Sequence, residues 1–289
     1  MNGADARRRL LATIPITQRR LHLAGVSTAV LEGGNGAPVI LLHGPGESAV
    51  KWSSVVSRLV ATHHVVAPDL PGHGESEVAG VPLDGDRTIR WLDELIERTC
   101  MSPPALVGHG LSLAARYAVD HSDRLSCLVL VDILGLEPFE PAPEFAAALD
   151  AFAAQPTDET YDDLWRHCAF DLDGLRGRMG EDWRLLRTYH LDRARDESAQ
   201  AELGALMSEE MAPVSAAKLA RITAPTTLIW GRHDRATPLR IAEAASARHG
   251  WPVRVIERAA DDPALEQPEA FHAALLTATD AGSRPEARR

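Results

Sequence analysis

The chain has 289 residues, 45% of them hydrophobic, enough to bury a large core as one α/β domain with an insertion or as two domains. Its formal net charge of −11 argues against a nucleic-acid or anionic-membrane partner. Three scattered cysteines (Cys100, Cys127 and Cys168) lack C-x-x-C spacing, which argues against a disulfide framework or a metal site and makes a cytoplasmic location the expectation.

Residues 1–17 are basic with no apolar run behind them, so they read as a loosely attached leader and not as a signal or membrane segment. Short strands are predicted at 20–22 and 27–31, with Gly33 to Gly36 turning the chain back. The run at 38–42 (PVILL) has the unbroken apolarity of a buried central strand, and it ends in His43-Gly44-Pro45-Gly46-Glu47-Ser48. A helix is predicted over 50–62, a strand at 64–67, a glycine-rich turn at 69–76 and a helix at 88–100.

The stretch 104–120, PALVGHGLSLAARYAVD, is the most informative in the chain. A strand, a sharp glycine turn and an alanine-rich helix follow within a few residues, which is the frame of a nucleophile elbow, G-x-S-x-G. Gly108 takes the first glycine position, Gly110 stands where the nucleophile belongs, and Ser112 replaces the last glycine. Another buried strand follows at 125–131, ending at Asp132. From 141 to about 213 no strand-like run occurs, and the segment reads as several helices. The alternation then resumes with a strand at 226–230, a helix near 239–248, a strand at 252–256 and a helix at 270–277. Alternating strands and helices predict an α/β fold with a mostly parallel central sheet flanked by helices, and an all-helical cap inserted after the sixth strand. The expected layout is a core of 18–136 and 214–280, a cap of 137–213, and flexible termini at 1–17 and 281–289.

Six ordered segments, LLHGPGES, APDLPGHGES, LVGHGLS, LVLVD, LIWGRHDRATP and ALEQPEAF, resemble the α/β-hydrolase family, in its capped esterase and epoxide-hydrolase-like branch, over residues 20–280. The resemblance implies a triad whose nucleophile falls on Gly110, whose acid falls on Asp234 and whose base falls on Asp261, two residues before Pro263. It also implies an oxyanion hole at Leu111 and the Pro45-Gly46 loop, where Pro45 has no N–H to give. Without hydroxyl or imidazole the acyl-enzyme route is closed, so Asp234 and Asp261 become the candidate catalytic residues.

Each candidate also has a structural reading. Asp234 can anchor its loop or form an acid pair with Asp261. Ser112 can be a small packing residue or a relocated nucleophile, and glycine at 110 relieves backbone strain. His43, His73 and His109 can brace loops, with the His109 side chain on the far side of the turn from the nucleophile slot. In the cap Trp165, His167, Cys168 and His190 are, with His43 and His109, candidates to line a pocket. Three functions remain in view: a repurposed enzyme performing a lyase, isomerase or cyclase step on a small apolar molecule, a non-catalytic pseudo-hydrolase that binds a ligand or partner, and a hydrolase that activates water with a carboxylate. No cofactor or metal is implied. The expected partner is a small molecule, with no membrane or nucleic acid, and the chain is expected to be a monomer or homodimer.

Overall fold

The computed structural model of the chain describes residues 1–80 and 83–282. An antiparallel pair, β1 (Thr17–Leu23) and β2 (Val26–Gly33), forms one edge of the sheet. The rest of the main path is β3 (Ala37–Leu42), β4 (His63–Pro68), β6 (Ala105–His109), β7 (Cys127–Val131), β8 (Thr226–Gly231) and β9 (Val253–Ile256), with the two-residue β5 (Glu77–Val78) paired to β2. The order is β1-β2-β4-β3-β6-β7-β8-β9, and every pair from β4 to β9 is parallel.

The apolar runs became central strands because both of their faces are covered. Side chains alternate across β3: Ile40 and Leu42 join a cluster with Trp91 and Tyr117, while Val39 and Leu41 join Trp52 and Phe271 on the other face. The helices that supply these faces include α2 (Ser53–Leu59), α3 (Gly85–Thr99), α4 (Leu113–His121), α11 (Leu239–His249) and α13 (Pro268–Gly282). The carboxyl ends of the parallel strands form the edge at which open α/β sheets hold ligands.

Between β7 and β8 the chain leaves the sheet for α5 (Pro143–Ala154), α6 (Asp158–Cys168), α7 (Leu172–Met179), α8 (Glu181–Ala194) and α9 (Glu197–Glu210). The cap has its own aromatic core of Tyr161, Trp165, Trp183 and Tyr189. Its stem is closed where the Val214 N–H donates to the Gly135 carbonyl at 2.8 Å. The insertion falls after the seventh strand in chain order, not the sixth, because β5 is too short to register as a hydrophobic run.

The leader expected to be loose is instead a helix, α1 (Gly3–Leu11). Asn2 caps it, and its buried Ala6 and Leu10, one turn apart, join the cap's aromatic core. Arg7 is buried with its guanidinium on Asp69 at 2.9 Å, so a residue that reads as a surface charge joins the helix to the 69–76 turn. The helix expected over 50–62 is a 3₁₀ turn at Ala49–Trp52 followed by the shorter α2. Residues 283–289 of the expected C-terminal tail lie outside the described residues. No helix among the described residues is long and apolar enough to cross a membrane.

Candidate active site

A cavity of about 470 Å³ lies between the sheet's carboxyl edge and the cap. Its walls are apolar: Phe145, Leu149 and Phe152 from α5, Leu164 and Trp165 from α6, and Leu203 and Met207 from α9. On α9 the lining residues Ala199, Leu203 and Met207 recur every fourth position, so one stripe of that helix faces the cavity. The floor is polar and includes Gly110, Asp132, Asp261 and Asp262.

Gly110 sits at the tip of the elbow with φ +68°, a left-handed conformation that costs glycine nothing. Gly108 admits the elbow helix: a Cβ there would meet the Cβ of Ala114 at 2.5 Å. The turn is closed by the Leu111 N–H, which donates to the His109 carbonyl at 2.7 Å. Leu111 itself belongs to the core under the sheet, away from the cavity. Pro45 and Gly46 do reach the cavity floor. A Cβ added at Gly110 would lie 3.0 Å from the Pro45 Cδ and 3.3 Å from the Gly44 Cα. The ring of Pro45 therefore crowds the space that a side chain at 110 needs.

Asp261 lines the cavity, and its backbone is held on both sides: its N–H donates to the Cys168 carbonyl at 3.0 Å, and its carbonyl accepts from the His109 Nε2 at 2.8 Å. Glu266 reinforces the same loop, accepting the Ala260 N–H and the Phe170 N–H at 2.6 Å each. Burial, with the charge of Asp234 next in importance, pushes the Asp261 carboxyl up to about 7. Asp234 lies behind this surface, outside the cavity lining. Its carboxylate accepts the Ala236 N–H at 2.8 Å, the Thr237 N–H at 3.0 Å and the Thr237 hydroxyl. Burial raises it to about 6 even so.

A third carboxyl completes the group. Asp132 caps the end of β7 with φ +44°, a strained value for a residue with a side chain. One of its oxygens accepts the Gly231 N–H at 2.9 Å, and its carboxyl is also hydrogen-bonded to Asp234. Burial and the neighbouring Asp234 push Asp132 far above the usual carboxylate range, so it carries the proton of a carboxyl–carboxylate pair with Asp234.

Beneath the elbow lies an opposite arrangement. The ammonium of Lys51, almost wholly buried, reaches the His109 Nδ1 at 2.5 Å, Glu47 at 3.0 Å and Asp262 at 3.2 Å. Its three protons match three acceptors. The Nδ1 of His109 also lies 3.3 Å from the Glu47 carboxylate, which with Asp262 raises the imidazole against burial and the Lys51 charge, and its Nε2 donates to the Asp261 carbonyl. Lys51 holds Glu47 well below the usual carboxylate range, and the two carboxylates raise Lys51 in return.

The remaining candidates divide. Trp165, Cys168, His190 and His109 line the cavity. The position of His109 corrects the expectation that its ring turns away: its two hydrogen bonds draw it under the floor. His43 is not at the cavity; fully buried, it accepts the Leu70 N–H at 2.9 Å and braces two loops. His167 is also outside the lining, edge-on to Phe145. In the roof the Tyr161 hydroxyl and the His190 Nδ1 are 2.9 Å apart. Ser112 is committed elsewhere, donating to Glu210 at 2.7 Å and accepting from the Arg116 Nε at 2.7 Å, and so ties the elbow helix to the end of α9. Among the described residues no three His, Cys, Asp or Glu side chains converge as a metal would need.

Lys51, Glu47, Asp132, Asp262 and Glu266 are absent from the sequence-based site. Two signals existed. Lys51 is one of only two lysines in the chain, and Asp132 ends a buried strand at the sheet edge where ligands bind.

Residues 39–274 match the family model described as the alpha/beta hydrolase family. The chain is 34% identical over 125 residues to the 2-hydroxy-6-oxo-6-(2'-aminophenyl)hexa-2,4-dienoic acid hydrolase of Metapseudomonas resinovorans, an alignment covering 41% of this chain and 43% of that protein. It is 27% identical over 221 residues to the 2-hydroxy-6-oxo-6-phenylhexa-2,4-dienoate hydrolase of Comamonas testosteroni, covering 72% and 75%. The solved 2-hydroxy-6-oxo-6-phenylhexa-2,4-dienoate hydrolase of Rhodococcus sp. strain RHA1 superimposes with a TM-score of 0.80 at 22% identity, covering 93% of this chain and 100% of that one. With its elbow, capped sheet and matched core, this chain belongs to the alpha/beta hydrolase family.

Proposed function

We propose that the protein performs a non-hydrolytic acid–base step, of the lyase, isomerase or cyclase type, on a small and largely apolar molecule held under the cap. Asp261 is the proton carrier in this reading: it takes a proton from one atom of the ligand and returns it to another. The Asp132–Asp234 pair sets the charge around it, and Gly110 and Pro45 shape the floor. One observation carries the reading: the Asp261 carboxyl lines the same cavity as the side-chain-free Gly110, and burial beside Asp234 pushes it up to about 7, where it can both give and take a proton.

Two features favour an enzyme over a non-catalytic binding module. The cavity is open and polar at its floor, whereas a binding module would fit a collapsed or wholly apolar one. The arginines near the two acids are engaged elsewhere, Arg232 with Glu257 and Arg258 over the ring of Phe170, so neither quenches them. The three cysteines are free, in keeping with a reducing cytoplasmic compartment.

The hydrolase relatives and the side-chain-free slot at Gly110 favour a second reading, in which Asp261 activates a water. The test is turnover of a panel of aryl-alkyl ketones, enones and esters in D2O and in ¹⁸O water. Deuterium incorporation without ¹⁸O, lost in Asp261→Asn, supports the acid–base step. Product ¹⁸O lost in the same variant supports activated water. Stoichiometric fluorophosphonate labelling would refute both.

A further inference from the structure

We propose that His190 forms a ligand subsite in the roof of the cavity, where its Nε2–H binds the carbonyl oxygen of a neutral and otherwise apolar ketone. The inference rests on the reading that the space under the cap is the ligand site, and it names the ligand class and the residue that recognises it.

The tautomer follows from the hydrogen bonds behind the ring. The Trp165 indole, which can only donate, is hydrogen-bonded to the Tyr161 hydroxyl oxygen. Tyr161 is itself buried, and burial keeps its phenol protonated. Its oxygen lies 2.9 Å from the His190 Nδ1. Were Nδ1 the donor, the phenol would accept twice and its own proton would be buried without a partner, which is costly. Tyr161 therefore donates and Nδ1 accepts. Burial takes His190 down to about 4, with the charges of Glu47 and Lys51 acting in opposite senses, so the ring is neutral at pH 7 and its N–H is at Nε2.

That N–H meets no acceptor among the described residues, although His190 is only 8% exposed and lines the cavity. A buried donor left unpaired is costly, and an acceptor brought by a ligand removes the cost. His73 and Arg193 also line the cavity with a nitrogen that lacks a hydrogen-bond partner, and neither duplicates this one. His73, pushed down by burial, donates through Nδ1 to the Pro71 carbonyl at 2.9 Å, so its Nε2 is an acceptor. The Nε of Arg193 belongs to a part-exposed guanidinium already bound to Asp196 at 3.2 Å. The cap side of the lining is otherwise apolar, with Phe145, Phe152 and Leu164. An oxygen that only accepts, as a ketone's does, needs nothing further there, whereas a hydroxyl brings a proton that such walls cannot take.

The experiment is NMR and titration calorimetry of the full chain at pH 7 with phenylbutanone labelled with ¹³C at its carbonyl, phenylbutanol and butylbenzene. In ¹⁵N spectra of the free protein His190, identified by its loss in His190→Phe, should be neutral and protonated at Nε2. The ketone is expected to bind more tightly than the alcohol or the hydrocarbon. Its carbonyl carbon should resonate downfield of the same ketone bound to His190→Phe. That variant keeps an aromatic ring against Tyr161 and Tyr189, and it should weaken ketone binding about three- to tenfold while sparing butylbenzene. Arg193→Ala should leave the carbonyl shift in place. Tyr161→Phe, which releases Nδ1, should reduce both the shift and the affinity, and it gives a second route should His190→Phe fold poorly. An Nδ1–H or doubly protonated ring overturns the inference, as does an equal loss for ketone and hydrocarbon. Tighter binding of the alcohol, a carbonyl shift indifferent to both variants, or no binding by any of the three probes does the same. Because binding is read without turnover, a hydrogen-bonded ketone in a catalytically silent protein would sink the proposed reaction and leave this inference standing.

Discussion

Gly110→Ser restores the missing hydroxyl and is expected to destabilise the protein without producing an esterase. The new Cβ enters a residue with φ +68°, which costs a side chain about 1–2 kcal/mol. It also lies 3.0 Å from the Pro45 Cδ, and overpacking of this kind costs about 1–3 kcal/mol where the neighbour is rigid. A proline ring held in a loop gives little, so the two together predict a loss of about 2–5 kcal/mol. The companion variant Pro45→Ala removes the contact and returns an N–H, so the double variant should recover the packing share and keep the backbone share. Urea denaturation of wild type, both single variants and the double variant forms a thermodynamic cycle, with a coupling of at least about 1 kcal/mol expected. Activity should stay at background with nitrophenyl esters in every member, because a triad works as a unit and no imidazole is restored. A neutral Gly110→Ser, or one that turns over esters with a burst, would refute this account of the floor.

Lys51→Met should destabilise by about 3–5 kcal/mol, because it leaves Glu47 and Asp262 buried without their cation; a loss under about 1 kcal/mol by denaturation would contradict the three-acceptor arrangement. Arg7→Ala should cost a similar amount by stranding buried Asp69, whereas a truly loose leader would show no change. Asp261→Asn should be more stable than wild type at pH 8. The native carboxyl titrates near 7 and the unfolded one near 3.8, so the folded state binds the extra proton and the wild type loses stability as pH rises between those values. The difference is bounded at about 4 kcal/mol by roughly three pKa units, and it should vanish in melts below about pH 4. Ser112→Ala should leave fluorophosphonate labelling at zero, as in wild type, since the hydroxyl is bound to Glu210 and Arg116.

The sheet was legible because its central strands are runs of apolar and β-branched residues bounded by glycine and proline, as at 38–42 and 226–230. The elbow was legible for a similar reason, since its glycines are demanded by local geometry at Gly108 and Gly110. Helix α1 was not legible: its two apolar contacts and its buried arginine acquire meaning only from partners in the cap and in the 69–76 turn. The acid cluster failed for the same cause. Asp132 and Asp234 stand on either side of the cap insertion, and spacing along the chain carries no sign that β7 and β8 are neighbours. Asp261 was reached through the resemblance to a family motif, while Asp262, one residue on, was passed over although it faces the same cavity and binds Lys51.

The central claim is that the carboxyl of Asp261 exchanges a proton near neutral pH at the cavity floor. Its most direct test is a titration by NMR of protein labelled with ¹³C at the aspartate side-chain carboxyl, with Asp261→Asn identifying the resonance. The account predicts a midpoint near 7, displaced downward when Asp234 is replaced by Asn, because the charge of Asp234 helps to hold it up. A midpoint near the ordinary 3.8 would contradict it.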